Sequence, residues 1–306
     1  MTATASSSPL RPVRRRPRRR PEQPRTTAGL WDTRRHIAVG ALIAYLITFG
    51  VLTPLLWVVF LSFRPSTGIL SQPLSLSSLS LHNYTDAFHT LPLAKMYGNT
   101  LVLAVTSVSI GTVISFMSSF ALSRMVFRRR RLQATLRYYL LAGLAIPVAI
   151  LLFPVYRLDV ALGFFGHYVA IILPYIAVTL PFNTLLMTGF MSELPAEIED
   201  AAVVDGVGLI RMCTSIVLPL SRPIVATVLI FNIIYVFNEY PFVSVLGNSQ
   251  SLTTVSLALS QFQGQYSTDY GAMMAASTII LLPQIAIYVL FQRQVIAGMT
   301  TGAVKG

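Results

Sequence analysis

Long uncharged stretches alternate with short polar segments along most of this 306-residue chain. Each of six stretches approaches or exceeds the roughly 20 apolar residues that a helix needs to cross a bilayer. These stretches are residues 37–63, 96–123, 138–156, 168–191, 223–238 (running on to about 246) and 270–292. Prolines within the third and fourth are compatible with spans, because neighbouring helices re-satisfy the freed carbonyls. The pattern predicts an all-α integral membrane protein with six transmembrane helices.

Composition agrees with a membrane location. Only 11% of the residues are charged and 54% are hydrophobic, whereas soluble domains carry about 25% charged residues. The net charge of +12 is concentrated in residues 1–36 and 124–131, beside apolar runs. Such clusters indicate topology and contact with anionic lipid, not nucleic-acid binding. A single cysteine, Cys213, excludes an internal disulfide, and the four histidines have no metal-site spacing.

The chain divides by composition into two parts. Residues 1–36 are rich in Arg, Pro, Ser and Thr, so we predict a disordered basic tail. It does not resemble a signal peptide, because its basic region and the following apolar run are both too long. Residues 37–306 form the predicted six-helix domain, without internal repeats.

The basic residues predict an orientation. With the N-terminus inside, 20 of the 23 Lys and Arg residues lie on the cytoplasmic side, and only Arg64, Lys95 and Arg157 lie outside. This asymmetry places both termini in the cytoplasm of a multi-pass plasma-membrane protein. The loop at about 192–222, between spans four and five, is then cytoplasmic as well.

That loop contains the sequence PAEIEDAAVVDGVG, in which four of the eleven acidic residues are gathered. Pro195 suits the first turn of a helix, and the acids that follow are favoured at a helix N-terminus. Gly206 and Gly208 provide a stop. We predict a helix of about eleven residues, roughly 16 Å long. The acids alone have a simple structural explanation, namely stabilisation of their own helix.

The spacing of residues within this loop resembles that of a known protein family. The loop contains Asp200-Ala201-Ala202, then after three residues Gly206, and after nine more Ile216-x-Leu218-Pro219. This spacing resembles the signature of permease subunits of ATP-binding-cassette (ABC) importers. The first position is usually Glu in that family, and Asp200 keeps the charge. Four further segments are similar to sequences of the carbohydrate-uptake branch of that family and its maltose-type permease. They are HNYTDAF (82–88), YGNTLVLAV (97–105), FNEY (237–240) and GAVKG (302–306). FNEY differs from the usual Trp-Asn-Glu-Phe by two exchanged aromatics.

The resemblance implies a transporter of several subunits with separate functions. This chain would form half of a membrane channel, with a second related permease forming the other half. Two ATPase subunits carrying ATP and magnesium would dock on the cytoplasmic loop, and an extracytoplasmic binding protein would deliver a sugar. ATP-driven closure of the ATPases would switch the channel by alternating access. The chain has no P-loop of its own, since its only lysines are Lys95 and Lys305, so the ATPase must be a partner.

The resemblance assigns docking to residues of the predicted loop helix. The candidate docking residues are Glu199, Asp200, Ala201, Ala202, Asp205 and Gly206. A bulky residue at Gly206 or Ala202 is expected to uncouple ATP hydrolysis from transport.

Two polar stripes are candidates for the sugar path, because sugars need hydroxyl partners and aromatic faces. The stripes are Tyr175, Thr179 and Asn183 in span four, and Asn232, Tyr235, Asn238 and Glu239 in span five. Asn99 and Thr100 are weaker candidates. Glu239 has the alternative explanation of a surface-level acid that ends its span. Ser107, Gly111, Ser115 and Ser119 in span two have the spacing of a helix-packing face, which we prefer to a sugar path.

Other functions remain open on the sequence alone. The same architecture could import another neutral solute, while an anion or metal cargo would require basic or His residues that the spans lack. An ion-driven secondary transporter would require acids within the membrane, and Glu239 is the sole candidate. A membrane enzyme would require a cluster of reactive side chains, which the spans do not contain.

Overall fold

The structure is a computed structural model that describes residues 30–72, 74–75, 78–247, 252–264 and 268–300. Side-chain positions are described for 37–292 within these ranges. The chain separates into two compact units, 1–54 and 55–306. Most of the predicted basic tail (1–29) and the C-terminal GAVKG segment lie outside the described residues.

The described part of the chain is helical, in line with the predicted all-α class. Its α-helices are α1 (Leu30–Leu61), α2 (Ser66–Ser71), α3 (His82–Thr90), α4 (Leu93–Arg124), α5 (Arg130–Ala142), α6 (Val148–Leu162), α7 (Tyr168–Glu193), α8 (Glu197–Val204), α9 (Leu209–Arg211), α10 (Leu218–Leu220), α11 (Arg222–Asn238), α12 (Pro241–Leu246) and α13 (Tyr270–Thr300). A π-helical turn joins α9 to α10, and a 3₁₀ segment precedes α13.

Four of these helices are long and apolar enough to cross a membrane, and two bent pairs raise the number to as many as six. The four are α1, α4, α7 and α13, which match predicted spans one, two, four and six. One bent pair is α5 with α6, and the other is the 209–220 segment with α11. The six predicted spans are therefore all found as helical segments. The third is not a single straight helix, and the fifth, α11, is the second half of a pair that begins in the predicted loop at 192–222.

The third predicted span, 138–156, is broken. α5 and α6 meet at an angle of 102°, with Ile146 in an extended conformation at φ −90°, ψ 112°. Pro147 follows Ile146, and a proline disfavours the helical conformation of the residue before it. Pro147 therefore ends the first segment, whereas Pro154 lies inside α6 without ending it.

Two further predicted boundaries were wrong. α1 begins at Leu30, so residues 30–36 are helical and do not belong to a disordered tail. A helix that is already formed extends cheaply into polar sequence, because only its nucleation is costly. The fifth span ends at Asn238, in line with its predicted bounds 223–238, and only its extension to about 246 was wrong, because α12 is a separate helix that begins at Pro241.

The most extensive helix contact joins α4 and α7, which run parallel. The stripe of small residues on α4 faces this contact: Ser107, Gly111, Ser115 and Ser119 are all buried. A Cβ added at Gly111 would lie 3.7 Å from Thr179 Oγ1, and Ser119 Oγ donates to the Thr184 carbonyl at 3.2 Å. The stripe is a packing face, as predicted, because small side chains let two membrane helices approach closely.

Asn83 and Tyr84 of the HNYTDAF motif hold the segment that follows α1 beside the start of α13. Asn83 Nδ2 donates to the carbonyls of Ser62 (2.8 Å) and Arg64 (2.7 Å), which follow the end of α1. The Tyr84 hydroxyl lies 2.7 Å from Ser62 Oγ. Gly271, at the start of α13, passes so close that an added Cβ would lie 2.7 Å from Asn83 Oδ1 and 2.9 Å from the Arg64 carbonyl.

We expect Gly271→Ala to lower the melting temperature of the purified protein, because the new methyl group must displace Asn83 or the backbone at Arg64. Overpacking of this kind typically costs about 1–3 kcal/mol. The measurement is thermal unfolding in detergent, with Gly98→Ala as the control, since a Cβ at Gly98 meets no atom within 4 Å. Equal melting temperatures for the two variants would contradict the close approach.

Candidate functional site

The predicted loop helix exists as α8, hereafter the coupling helix (Glu197–Val204). Its first turn holds Glu197, Glu199 and Asp200, where a negative charge is favoured by the helix dipole. Its end has the Schellman pattern: the Gly206 N–H donates to the Val203 carbonyl at 3.0 Å, and the Val207 N–H to the Ala202 carbonyl at 2.9 Å. Gly206 takes the left-handed conformation at φ +74°.

The coupling helix is shorter than predicted. It has eight residues instead of eleven, which is roughly 12 Å at 1.5 Å per residue. Pro195 lies two residues before it and not in its first turn. Gly208 does not help to end it either, because Gly208 has an extended conformation and precedes α9. Gly206 alone supplies the stop.

The coupling helix attaches to the membrane helices through Ala202. This residue is 6% exposed and belongs to an apolar cluster with Phe116 and Phe120 of α4 and Met187 and Met191 of α7. Of the other predicted docking residues, Asp200, Ala201, Asp205 and Gly206 are exposed, and Glu199 is partly buried. One alanine of the motif therefore packs inward while its neighbour faces out.

Exposed apolar side chains lie at the end of the coupling helix and in the segment after it. Val203 is 63% exposed, Val204 87% and Ile210 81%. Val203 and Val204 lie between the exposed Asp200 and Asp205 in the sequence, and Ile210 follows in α9. An exposed apolar surface rimmed by polar residues is typical of a protein-interaction site.

Glu199 has a partner within the chain. Its Oε1 lies 3.2 Å from Nε of Arg124, an ion-pair contact without the alignment of a hydrogen bond. Arg124 is the last residue of α4, and its Nη2 also donates to the carbonyls of Met191 and Leu194 (2.8 Å for Leu194). Arg124 looks in the sequence like one more topology-setting arginine, so sequence analysis missed this role.

The two polar stripes of α7 and α11 meet at a buried carboxylate. Glu239 accepts hydrogen bonds from the Tyr175 hydroxyl (2.7 Å) and from the Phe242 N–H (2.8 Å). The ring of Tyr235 packs edge-on against Tyr175, with ring centroids 5.8 Å apart. Glu239 follows the last residue of α11, as the alternative of a span-ending acid expected, but at 5% exposure its side chain is buried in the protein. α12 begins two residues later at Pro241, and Glu239 caps its N-terminus.

The remaining path candidates differ in exposure. Asn183 and Asn232 are buried, and neither amide atom of Asn183 has a hydrogen-bond partner within the described residues. Thr179 is partly buried and donates to the Tyr175 carbonyl at 2.7 Å. Asn238 is exposed and lines a cavity of about 230 Å³. The structure thus brings Tyr175, Tyr235 and Glu239 together.

The two weaker candidates hold a connecting segment. Asn99 Nδ2 donates to the Thr253 carbonyl at 2.7 Å, and Thr100 Oγ1 accepts from the Val255 N–H at 3.1 Å. Both side chains are buried. Their contacts fix the segment between α12 and α13 against the start of α4, which gives them a structural role.

Across the described ranges, no three His, Cys, Asp or Glu side chains come together as metal ligands would. Cys213 is partly buried and packs against the cluster that contains Ala202. A cavity of about 510 Å³ lies between α4 and the 209–225 segment, with an almost wholly apolar lining. None of the path candidates lines this cavity.

Comparison with known proteins assigns the family. The family described as "Binding-protein-dependent transport system inner membrane component" matches residues 111–301, more than half of the chain. A putative ABC transporter permease protein (ORF2) of Caldicellulosiruptor sp. strain Rt8B.4 is 34% identical over 83% of this chain and 91% of its own length. The trehalose/maltose transport system permease protein MalG of Thermococcus litoralis is 30% identical over 88% of this chain and 96% of its own.

A solved structure shows the same fold. It is a bacterial ABC transporter involved in the import of the acidic polysaccharide alginate, and one of its chains superposes with a TM-score of 0.70 at 18% identity. The match covers 86% of this chain and 97% of that one. The chain therefore belongs to the binding-protein-dependent transport system inner membrane components, a family of multi-pass, non-catalytic permease subunits of ABC importers.

Proposed function

We propose that this chain forms one half of the channel of an ATP-driven importer for a sugar or oligosaccharide. A second related permease forms the other half, two ATPase subunits that bind ATP and magnesium dock on the coupling helix, and an extracytoplasmic binding protein delivers the cargo. The observation that carries the proposal is the coupling helix itself. It is anchored to the membrane helices through Ala202 and presents Asp200, Ala201, Asp205 and Gly206 outward.

The charge distribution supports a cytoplasmic position for this helix. Arg124 ends α4 and the basic run 128–131 follows it, at the same end of the bundle as the coupling helix. Lys95 lies in the first turn of α4, at the opposite end of the parallel pair α4 and α7. With basic residues facing the cytoplasm, both termini are cytoplasmic and the coupling helix meets the ATPase there.

The proposal of a sugar cargo draws on two supports. The relative from Thermococcus litoralis is named for trehalose and maltose. The six apolar stretches predicted from the sequence contain hydroxyl, amide and aromatic side chains but no Lys, Arg or His, which suits a neutral solute with many hydroxyl groups. Tyr175, Tyr235 and Glu239 mark where the two stripes converge, and Asn238 is the exposed member of the α11 stripe.

The test is uptake by the complete importer in proteoliposomes. We expect labelled sugar to accumulate only when ATP is inside, the binding protein is outside, and this chain is present. A panel of mono-, di- and oligosaccharides then identifies the cargo. Accumulation of amino acids but of no sugar would overturn the cargo while leaving the importer architecture intact.

The two alanines of the motif give a sharper prediction for docking. Ala201→Leu places bulk on the exposed face, so we expect co-purification of the ATPase to fall strongly while the permease remains folded. Ala202→Leu forces three extra carbons into the packed cluster, which typically costs about 1–3 kcal/mol. We expect Ala202→Leu to lower the melting temperature of the permease even without the ATPase present.

The two measurements are co-purification of the ATPase and thermal unfolding in detergent. Each alanine serves as the control for the other, because both substitutions add the same side chain one residue apart. Normal ATPase binding by Ala201→Leu would place docking elsewhere on the chain.

A further inference from the structure

Arg124 joins three helices at one point. Its side chain is 8% exposed, although it ends a membrane-spanning helix next to a run of four exposed or partly exposed arginines at 128–131. It contacts the carbonyls of Met191 and Leu194 at the end of α7, and Glu199 in the first turn of the coupling helix. An arginine placed only to set topology would not be buried with three partners.

The charges match the ends of the helices they touch. The last carbonyls of a helix carry partial negative charge, so a cation at the end of α7 is favoured. The first turn of the next helix favours an anion, which Glu199 provides. Only residues 194–196 separate α7 from the coupling helix, and the planar guanidinium of Arg124 reaches both sides of this connection. Its several fixed donors allow this, whereas an ammonium offers a single point of charge.

We propose that Arg124, with Glu199, is a positioning pair that fixes the angle between α7 and the coupling helix. Displacement of the coupling helix by the ATPase is then passed to α4 and α7 as one body. This inference rests on the proposed function, since it concerns how the docked helix transmits motion. It also gives Glu199 a role inside the permease, in place of direct contact with the ATPase.

A second attachment is needed for such transmission. Ala202 holds the coupling helix to the apolar cluster, but a contact made by one methyl group lets the helix pivot. The Arg124–Glu199 pair is nearly one helical turn away along the same helix, on the side toward α7. Two attachments of different chemistry along one short helix prevent the pivot, so that a push on the exposed face moves α4 and α7 together.

The test compares two acids of the same first turn in the reconstituted importer. Glu199→Gln removes the charge that faces Arg124. Glu197→Gln removes an equal charge from an exposed position and serves as the matched control. We expect solute transported per ATP hydrolysed to fall roughly ten-fold in Glu199→Gln, within the usual range of coupling between sites, and to stay unchanged in Glu197→Gln.

Arg124→Lys provides the second variant. It keeps the positive charge, but one ammonium cannot serve the α7 carbonyls and Glu199 together, so we expect a similar loss of coupling. In both variants the amount of assembled complex and the KM of the ATPase for ATP should remain as in the unmodified importer. A residue needed only for folding would instead lower assembly, hydrolysis and transport in parallel.

The outcomes separate this inference from the proposed function. Unchanged coupling in Glu199→Gln or in Arg124→Lys would overturn the positioning pair, as would equal losses in Glu197→Gln and Glu199→Gln. Parallel loss of assembly, hydrolysis and transport would overturn it as well. If the unmodified importer moves a solute other than a sugar, the proposed cargo is wrong, and the same ratio is then measured with that solute.

Discussion

Replacing Gly206 with tryptophan is expected to abolish ATP-driven uptake while the permease itself still folds. Gly206 lies at φ +74°, a conformation that costs a residue with a Cβ roughly 1–2 kcal/mol. Within this chain an added Cβ meets nothing within 4 Å, so the indole would project from the exposed end of the coupling helix. It would therefore obstruct the docked ATPase without disturbing the membrane helices.

The two effects of that substitution, strain and bulk, can be separated. Asparagine tolerates the left-handed conformation and is small, so Gly206→Asn should retain most of the uptake. Gly206→Ala adds strain without bulk and should fall between the two. Uptake and ATPase activity in proteoliposomes give the answer. Full uptake by Gly206→Trp would show that the ATPase does not approach this end of the helix.

Glu239→Ala is expected to destabilise the permease severely. The substitution leaves the Tyr175 hydroxyl and the Phe242 N–H without their acceptor, at a position that is 5% exposed. Each buried polar group left unpaired costs about 1–3 kcal/mol, so the two together are expected to cost about 2–6 kcal/mol. The measurement is the melting temperature in detergent, together with the yield of folded protein.

Graded variants distinguish this structural role from sugar binding. Glu239→Gln keeps one carbonyl oxygen as an acceptor and should lose less stability than Glu239→Ala. Tyr175→Phe removes one hydrogen bond to the carboxylate and should cost about 1 kcal/mol. If Glu239→Ala melts like the unmodified protein while the KM for sugar uptake rises, Glu239 belongs to the substrate path and the capping role is secondary.

The helices could be predicted from the sequence because an uncharged run of sufficient length has few other folds available in a membrane. The breaks between them were harder to predict. Pro147 and Pro154 look alike in the sequence, yet only Pro147 ends a helix. Neighbouring helices decide which proline is accommodated, and a linear pattern does not contain that information.

The candidate site was predictable where its chemistry is local. The acids at the start of the coupling helix and the glycine at its end depend on residues within one or two turns. The partner of Glu199 lies 75 positions earlier in the sequence, at Arg124, and the burial of Glu239 depends on contacts with α7 and α12. Both require knowledge of how the helices pack, so sequence analysis placed Glu199 on a docking face and left Glu239 open between a sugar path and a span-ending acid.

The break at Ile146 also has a consequence for how the chain enters the membrane during synthesis. α5 has 13 residues and α6 has 15, and each is shorter than the roughly 20 residues that an independent span requires. Neither segment is expected to leave the translocon alone. α5 is tied to α4 by the hydrogen bond from Gln133 Nε2 to the Leu122 carbonyl, 2.8 Å long. Gly143, which follows α5, lies against α7, since an added Cβ would be 2.6 Å from the ring of Pro181. We therefore expect the bent pair to stay beside α4 and to partition into lipid only when α7 has been synthesised.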